Sequence, residues 1–184
     1  FNSTTINVGL NHECHYIDFN NCTFDDITWW LWQNSRFVTI EDSTFYSGLD
    51  ISLRVLHNVT VSNNQFYLNG DTAIHIDGNN ATIVYNTIFN SSDAIVIEGS
   101  NSQGKNPVVI GNHIEDISGN GINIQTQASV VRVERNWISN CTGYGIRARY
   151  VSNHSLMTYN TVELAGSFGI RIEGYMFDSH GYYS

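Results

Sequence analysis

One proline, Pro107, stands in 184 residues, and no apolar run approaches the ~20 residues that a membrane-crossing helix needs. Basic residues are scarce too: Lys plus Arg number 8 against 17 Asp plus Glu, a net charge of −9. That deficit argues against nucleic acid or an anionic membrane as partner, because both recruit clusters of Lys and Arg. The three cysteines are an odd count, and no pair has zinc-ligand spacing. Cys22 and Cys141 fit as small buried residues, while Cys14 and Cys22 are a candidate bridge in an oxidising compartment. No metal site or cofactor is expected; structural calcium stays open, with no motif to support it. The chain opens at Phe1 with neither an initiator Met nor a secretory leader, which reads as a mature or excised segment.

What the chain does have is a repeat. Asn64, Asn86, Asn112, Asn136 and Asn160 each follow an apolar residue three positions back (Val61, Ile83, Val109, Val133, Met157). Each also precedes an apolar residue two positions on (Phe66, Ile88, Ile114, Ile138, Val162). Ser43 and Cys22 take the same place in two earlier units, so seven units follow one another at 21 to 26 residues. Periods of that size mark a stacked solenoid. Further along each unit comes an apolar-x-apolar triplet: Trp30-Leu31-Trp32, Ile51-Ser52-Leu53, Ile74-His75-Ile76, Ile95-Val96-Ile97, Ile122-Asn123-Ile124, Ile146-Arg147-Ala148 and Ile170-Arg171-Ile172. Alternation of this kind predicts short strands with one buried face, and Gly or Asp before them predicts a turn. Neither the fixed leucines of a horseshoe nor a 3.6-residue period is present, so the expected fold is all-β, a right-handed parallel β-helix of about seven coils.

Stacking coils at the ~4.8 Å strand separation turns equivalent residues into columns. An inward Asn at a tight bend buries an amide, which is costly alone but satisfied when amides stack and donate to the next coil. The apolar columns, Phe24-Phe45-Phe66 and Ile88-Ile114-Ile138-Val162, predict a long thin core. With 41% hydrophobic residues the chain can fill it as a single domain. The expected organisation is a lead-in or cap over 1–16, the β-helix over 17–174 and an aromatic tail over 175–184.

This pattern, running from Ile17 to Glu173, resembles the parallel β-helix repeats of the pectate-lyase-like superfamily. That resemblance implies the fold, and admits polysaccharide lyases, hydrolases, epimerases, surface proteins and phage tailspikes. Ser92-Asp93-Ala94-Ile95-Val96-Ile97 resembles the superfamily's polygalacturonase segment with one aspartate of its pair replaced by Ser. Arg171-Ile172-Glu173 resembles its Arg-Ile-Lys with the Lys exchanged for an acid.

Chemistry is expected on the outward positions of the second strand, where His75, Asn123, Arg147 and Arg171 form one column and Asp77, Glu98, Gln125, Arg149 and Glu173 the next. Arg147, Arg149 and Arg171, with Asn123 and Gln125, are candidates for binding a glycan, since guanidinium forks match carboxylates. His75, Asp77 and Glu98 are the candidate catalytic groups. Asp77 and Glu98 on adjacent coils can approach the ~6.5–9.5 Å of an inverting pair, and His75 can serve as a base. N-x-Ser/Thr sequons at Asn2, Asn21, Asn58, Asn80, Asn90, Asn140 and Asn153 are candidate glycosylation sites, expected at outward turn edges. Aromatics crowd both ends: Trp29 and Trp30 in the first coil, Tyr182 and Tyr183 in the tail. Open solenoid ends need a cap or a partner, so end-to-end self-association is expected there. The sequence thus reads as an extracellular or cell-surface structural or adhesive protein, with a carbohydrate-active enzyme or glycan-binding module acting on a uronate polymer as the alternative.

Overall fold

The computed structural model describes residues 15–25, 29–31, 36–46, 51–67, 72–99, 106–126, 130–149 and 155–173, with the backbone alone at 29–31, 51–56, 99 and 126. Every strand pairing among them is parallel. The first coils are built from β1 (His15–Asn20), β2 (Thr23–Asp25), β3 (Trp29–Leu31), β4 (Arg36–Glu41), β5 (Thr44–Tyr46), β6 (Ile51–Ser62) and β7 (Gln65–Tyr67). The middle is built from β8 (Ile74–Val84), β9 (Thr87–Phe89), β10 (Ile95–Gly99), β11 (Val108–Ile110), β12 (His113–Ile117) and β13 (Ile122–Thr126). The chain closes with β14 (Arg132–Glu134), β15 (Trp137–Cys141), β16 (Ile146–Arg149), β17 (Leu156–Thr158), β18 (Thr161–Ala165) and β19 (Ile170–Glu173).

These strands make a parallel β-helix with three faces. A seven-stranded sheet runs β2-β5-β7-β9-β12-β15-β18. The other two faces, a first with β1, β4, β11, β14 and β17 and a third with β3, β10, β13, β16 and β19, are joined because β6 and β8 turn the corner without a break. Strand β6 does so with one extra residue, Val55, between the positions that pair with Asp77 and Gly78. Coils two to six have a neighbour on each side, and their inward columns are dry: Val38, Ile40, Val59, Ile76, Ile83, Ile97, Val109, Ile124 and Ile138 expose nothing. Phe24, Phe45 and Phe66 stack face to face at 4.7 Å per step inside the sheet corner. Among the described residues the last coil has one neighbouring coil, and its inward Ile170 and Ile172 are exposed there.

The asparagines form the expected ladder. Asn64, Asn86 and Asn112 each donate Nδ2 to the Oδ1 of the Asn one coil on, at 2.9–3.0 Å, and Asn136 does the same to Asn160. Each Nδ2 also reaches back to a backbone carbonyl of the preceding coil, Ile40, Val61, Ile83 and Val109 in turn. That same Oδ1 accepts the previous Asn's backbone N–H at 3.0 Å. A buried amide in this column therefore leaves neither donor nor acceptor idle. Ser43 and Cys22 carry the column to the first coil, with Cys22 N donating to Ser43 Oγ and Ser43 N to Asn64 Oδ1.

The turns follow a rule that alternation does not reveal. Three columns hold left-handed backbone at φ of about +50° to +66°, and asparagine recurs in all three: Asn21 and Asn63 before the ladder, Asn58, Asn80 and Asn106 at the β6–β8 corner, Asn90 and Asn140 after β9 and within β15. Asn tolerates that region where most residues do not. Gly111 shares the first of these columns, beneath the Tyr85 ring, where a Cβ would sit 2.6 Å from Tyr85 Cδ1. The glycines before the third-face strands answer to space rather than to φ: a Cβ on Gly121 would lie 2.6 Å from the Gly145 carbonyl oxygen and 2.7 Å from Ile138 Cγ2.

One register differs from the alternation pattern. Trp29 pairs with Ile51, Trp30 with Ser52 and Leu31 with Leu53, so Trp29 and Leu31, rather than Trp30, hold the backbone register of Ile74 and Ile76. A run apolar at every position carries no period of two, so either register suits the sequence until the neighbouring strand selects one. Cys141 is buried in register with Ile117 and Ala165, and burial raises its thiol pKa. Cys22 is a free thiol 3.3 Å from the Asn20 carbonyl; Cys14 lies outside the described residues.

Candidate functional site

The third face presents its outward positions in strict register. His75, Val96, Asn123, Arg147 and Arg171 are consecutive partners along β8-β10-β13-β16-β19, and Asp77, Glu98, Gln125, Arg149 and Glu173 run beside them. Arg54 precedes Asp77 in the second column. Arginines stacked one strand apart repel unless an acid intervenes. Glu173 is that acid. Its carboxylate lies 3.3 Å from Arg147 Nη2, 3.1 Å from Arg149 Nε and 2.7 Å from Arg171 Nε. Three guanidiniums thus meet one carboxylate, a local excess of cation on a chain with net charge −9. The Arg149 contact lacks hydrogen-bond alignment, so its Nε, a buried atom, donates to no group.

Two aromatic rings frame this cluster. Tyr144 and Phe168 stack at 6.0 Å, Arg147 stands 4.8 Å over the Tyr144 ring, and Arg171 lies 5.7 Å from the centre of Phe168. Arg171 Nη1 also donates to the Tyr144 hydroxyl at 3.1 Å. These contacts hold the guanidiniums in fixed directions, which a lone surface arginine lacks. Deeper along the column, Asn123 is 5% exposed and its Oδ1 has no hydrogen-bond partner. An unpaired buried carbonyl is costly in a finished protein and inexpensive in one that receives a donor from outside.

At the other end of the face His75 Nε2 lies 3.3 Å from Glu98 Oε2, while Asp77 sits beside Glu98 in register. The structure therefore brings all three candidate catalytic groups onto two neighbouring coils, with His75 and Glu98 close but without hydrogen-bond alignment. Asp93 is committed elsewhere: its Oδ1 accepts both the backbone N–H and the side-chain amide of Asn120, whose own Oδ1 accepts from Tyr144 N. It closes a turn rather than facing the polar columns.

Among the sequons, Asn21, Asn58, Asn80, Asn90 and Asn140 all hold positive φ. Four are exposed and Asn58 is half-buried. In three of them, Asn21, Asn58 and Asn80, the left-handed residue is followed two positions on by a strand Thr. Asn140 donates to Asp116 and Asn80 to Asn58. Asn2, Asn153, Tyr182 and Tyr183 lie outside the described residues, and of Trp29 and Trp30 the backbone alone is described.

A family model described as "Right handed beta helix region" matches residues 4–162. The chain belongs to the right-handed β-helix family. Comparison with curated proteins and with solved structures found no match. Membership in the right-handed β-helix family fixes the architecture and leaves the chemistry to individual side chains. In this right-handed β-helix the arginines were legible as a column, but Tyr144 and Phe168 were not singled out, although their place two residues before each strand is the same. No helix among the described residues is long and apolar enough to cross a membrane.

Proposed function

We propose that this protein is an extracellular or cell-surface adhesive β-helix that binds a uronate-containing polysaccharide through the outward columns of its third face. The observation that carries the reading is the meeting of Arg147, Arg149 and Arg171 on the single carboxylate of Glu173. Such a cluster is chemically a carboxylate receptor occupied by an internal carboxylate, and a polymer of repeated carboxylates spaced along a chain suits a column that repeats along an axis. Asn123 and Gln125 continue the same stripe toward the hydroxyls of further sugar units. N-glycans on Asn21 and Asn90, exposed and without side-chain hydrogen bonds among the described residues, and on Asn140 suit the same setting. The last described coil, with Ile170 and Ile172 exposed, supports end-to-end self-association, because exposed apolar columns at a coil end can bury against another chain.

Calorimetric titration with oligogalacturonate tests the site. Replacing Arg147 and Arg171 by Ala should weaken binding about tenfold or more, and added salt should shrink the difference. Oligogalacturonate that binds both proteins alike refutes the reading. A catalytic reading has one specific support, the His75–Glu98 contact beside Asp77. Incubation with the same oligomer distinguishes it, since unsaturated products or new reducing ends that vanish in His75→Ala would establish turnover.

A further inference from the structure

A second polar hollow lies far from the arginine cluster, at the corner where β6 and β8 turn from the third face to the first. It arises from a change of side-chain size within one column. Tyr16, Phe37, Asn58, Asn80 and Asn106 occupy equivalent left-handed positions on successive coils, two residues before strand positions that pair with one another. Tyr16 and Phe37 stack at 5.0 Å with planes 4° apart, so one face of Phe37 is covered. The next three coils carry short amides instead. The column therefore drops by a step, and the opposite face of Phe37 is the riser of that step, 44% of the residue being exposed. Beside it runs a second column, Arg36, His57 and Asn79, in direct register. The two together enclose an open cavity of about 470 Å³, within the size range of small-ligand clefts.

The polar groups around the step are oriented. Asn80 Nδ2 donates to Asn58 Oδ1 at 3.1 Å, which leaves the Asn58 Nδ2 donor and the Asn80 Oδ1 acceptor uncommitted and one coil apart. Asn79 Nδ2 lies 3.1 Å from His57 Nδ1. An amide nitrogen only donates, so Nδ1 accepts and the neutral ring carries its proton on Nε2 as a donor. Arg36 adds a guanidinium, and no acid lines the cavity among the described residues.

We propose that this hollow is a saccharide subsite, separate from the arginine cluster, that holds one hexopyranose residue of a glycan. The C–H face of a pyranose ring is apolar and buries against the uncovered face of Phe37, while its adjacent hydroxyls need one donor and one acceptor a few ångströms apart. Asn58 Nδ2 and Asn80 Oδ1 supply them, and Arg36 and His57 close the rim toward a hydroxyl or a ring carboxylate. The abundance of asparagine at this corner then has two roles, since the residue that permits the turn also lines the site.

The test is a titration of the full chain with lactose, cellobiose and digalacturonate, followed by NMR of the Asn58 and Asn80 side-chain amides and the Phe37 ring. At least one of the three should saturate, with shifts confined to this corner. Phe37→Gly, which suits the left-handed backbone and removes the riser, should weaken that binding about five- to tenfold, and Asn58→Asp should weaken it too by replacing the donor. Arg36→Gln separates the two kinds of ligand: it should weaken digalacturonate and spare a neutral disaccharide. Chain integrity in each variant is read from the unfolding midpoint. No saturable shift with any of the three sugars at millimolar concentration, or Phe37→Gly binding as tightly as the parent, overturns the proposal. N-glycans on both Asn58 and Asn80 in native material would overturn it as well, because the attached sugars would consume the two amides.

Discussion

Replacing Asn112 by Ala measures what the ladder contributes. Its Oδ1 accepts from Asn86 N and Asn86 Nδ2, both at 3.0 Å, and its Nδ2 donates to Ile83 O at 3.0 Å and Asn136 Oδ1 at 2.9 Å. Three of these partners have other bonds: Asn86 Nδ2 keeps the Val61 carbonyl at 2.9 Å, Asn136 Oδ1 keeps the Asn112 backbone N–H at 3.0 Å, and the Ile83 carbonyl keeps its place in the ladder with β11. The Asn86 N–H loses its acceptor in a column where Asn86 and Asn112 are 1% exposed. For one buried group left short the loss is about 1–3 kcal/mol. Against the roughly 5–15 kcal/mol by which a typical domain is stable, that is enough for the urea midpoint to fall measurably. Asn160→Ala removes the same kinds of bond, to Asn136 and Val133, but on a half-exposed end coil where water can replace them. It should cost less than half as much. Native-state hydrogen exchange adds a local readout, with the Asn86 amide accelerated in Asn112→Ala. An unchanged midpoint, or equal losses for the two variants, would refute this account of the ladder.

Three further outcomes follow from particular contacts. Glu173→Ala leaves three guanidiniums without their shared carboxylate, so oligogalacturonate should bind several-fold more tightly, and sulfate should raise the melting temperature more than in the parent; weaker binding would show that Glu173 orients the arginines rather than competing. Arg132 hydrogen-bonds the Glu134 carboxylate and holds its pKa below the ordinary value for a glutamate. A lowered folded pKa means stability that is present above the unfolded value and lost as pH falls through the folded one, so Glu134→Gln should flatten the acid limb of a stability–pH curve below about pH 4.5. A Cβ at Gly145 would collide with Val162 Cγ1 and lie 2.5 Å from the Gly169 carbonyl oxygen, whereas one at Gly169 would be 3.9 Å from Val162. Gly145→Ala should therefore cost about 1–3 kcal/mol in urea unfolding and Gly169→Ala little; similar midpoints would show that the coil spacing yields.

The sequence by itself determined the solenoid, its asparagine ladder and the membership of each polar column, because all three follow from a period that a linear chain records directly. An inward Asn every 22 to 26 residues, flanked by apolar positions, has one stacking solution. Even the two outward columns of the third face were legible, since the side-chain period of a strand is two. Only the tertiary structure decided what those side chains meet. Arg147, Arg149 and Arg171 share a column neighbourhood in the sequence, but their convergence on Glu173 depends on rotamers chosen in three dimensions, with Tyr144 and Phe168 fixing two of them. The register of β3 was likewise undecided, because Trp29, Trp30, Leu31 and Trp32 offer no polar position to mark a face, and pairing with β6 settled it. The step at Phe37 belongs to the same class. Column membership could be counted along the chain, whereas the hollow exists because a tall ring in one coil abuts short amides in the next, and that adjacency appears only when the coils are stacked.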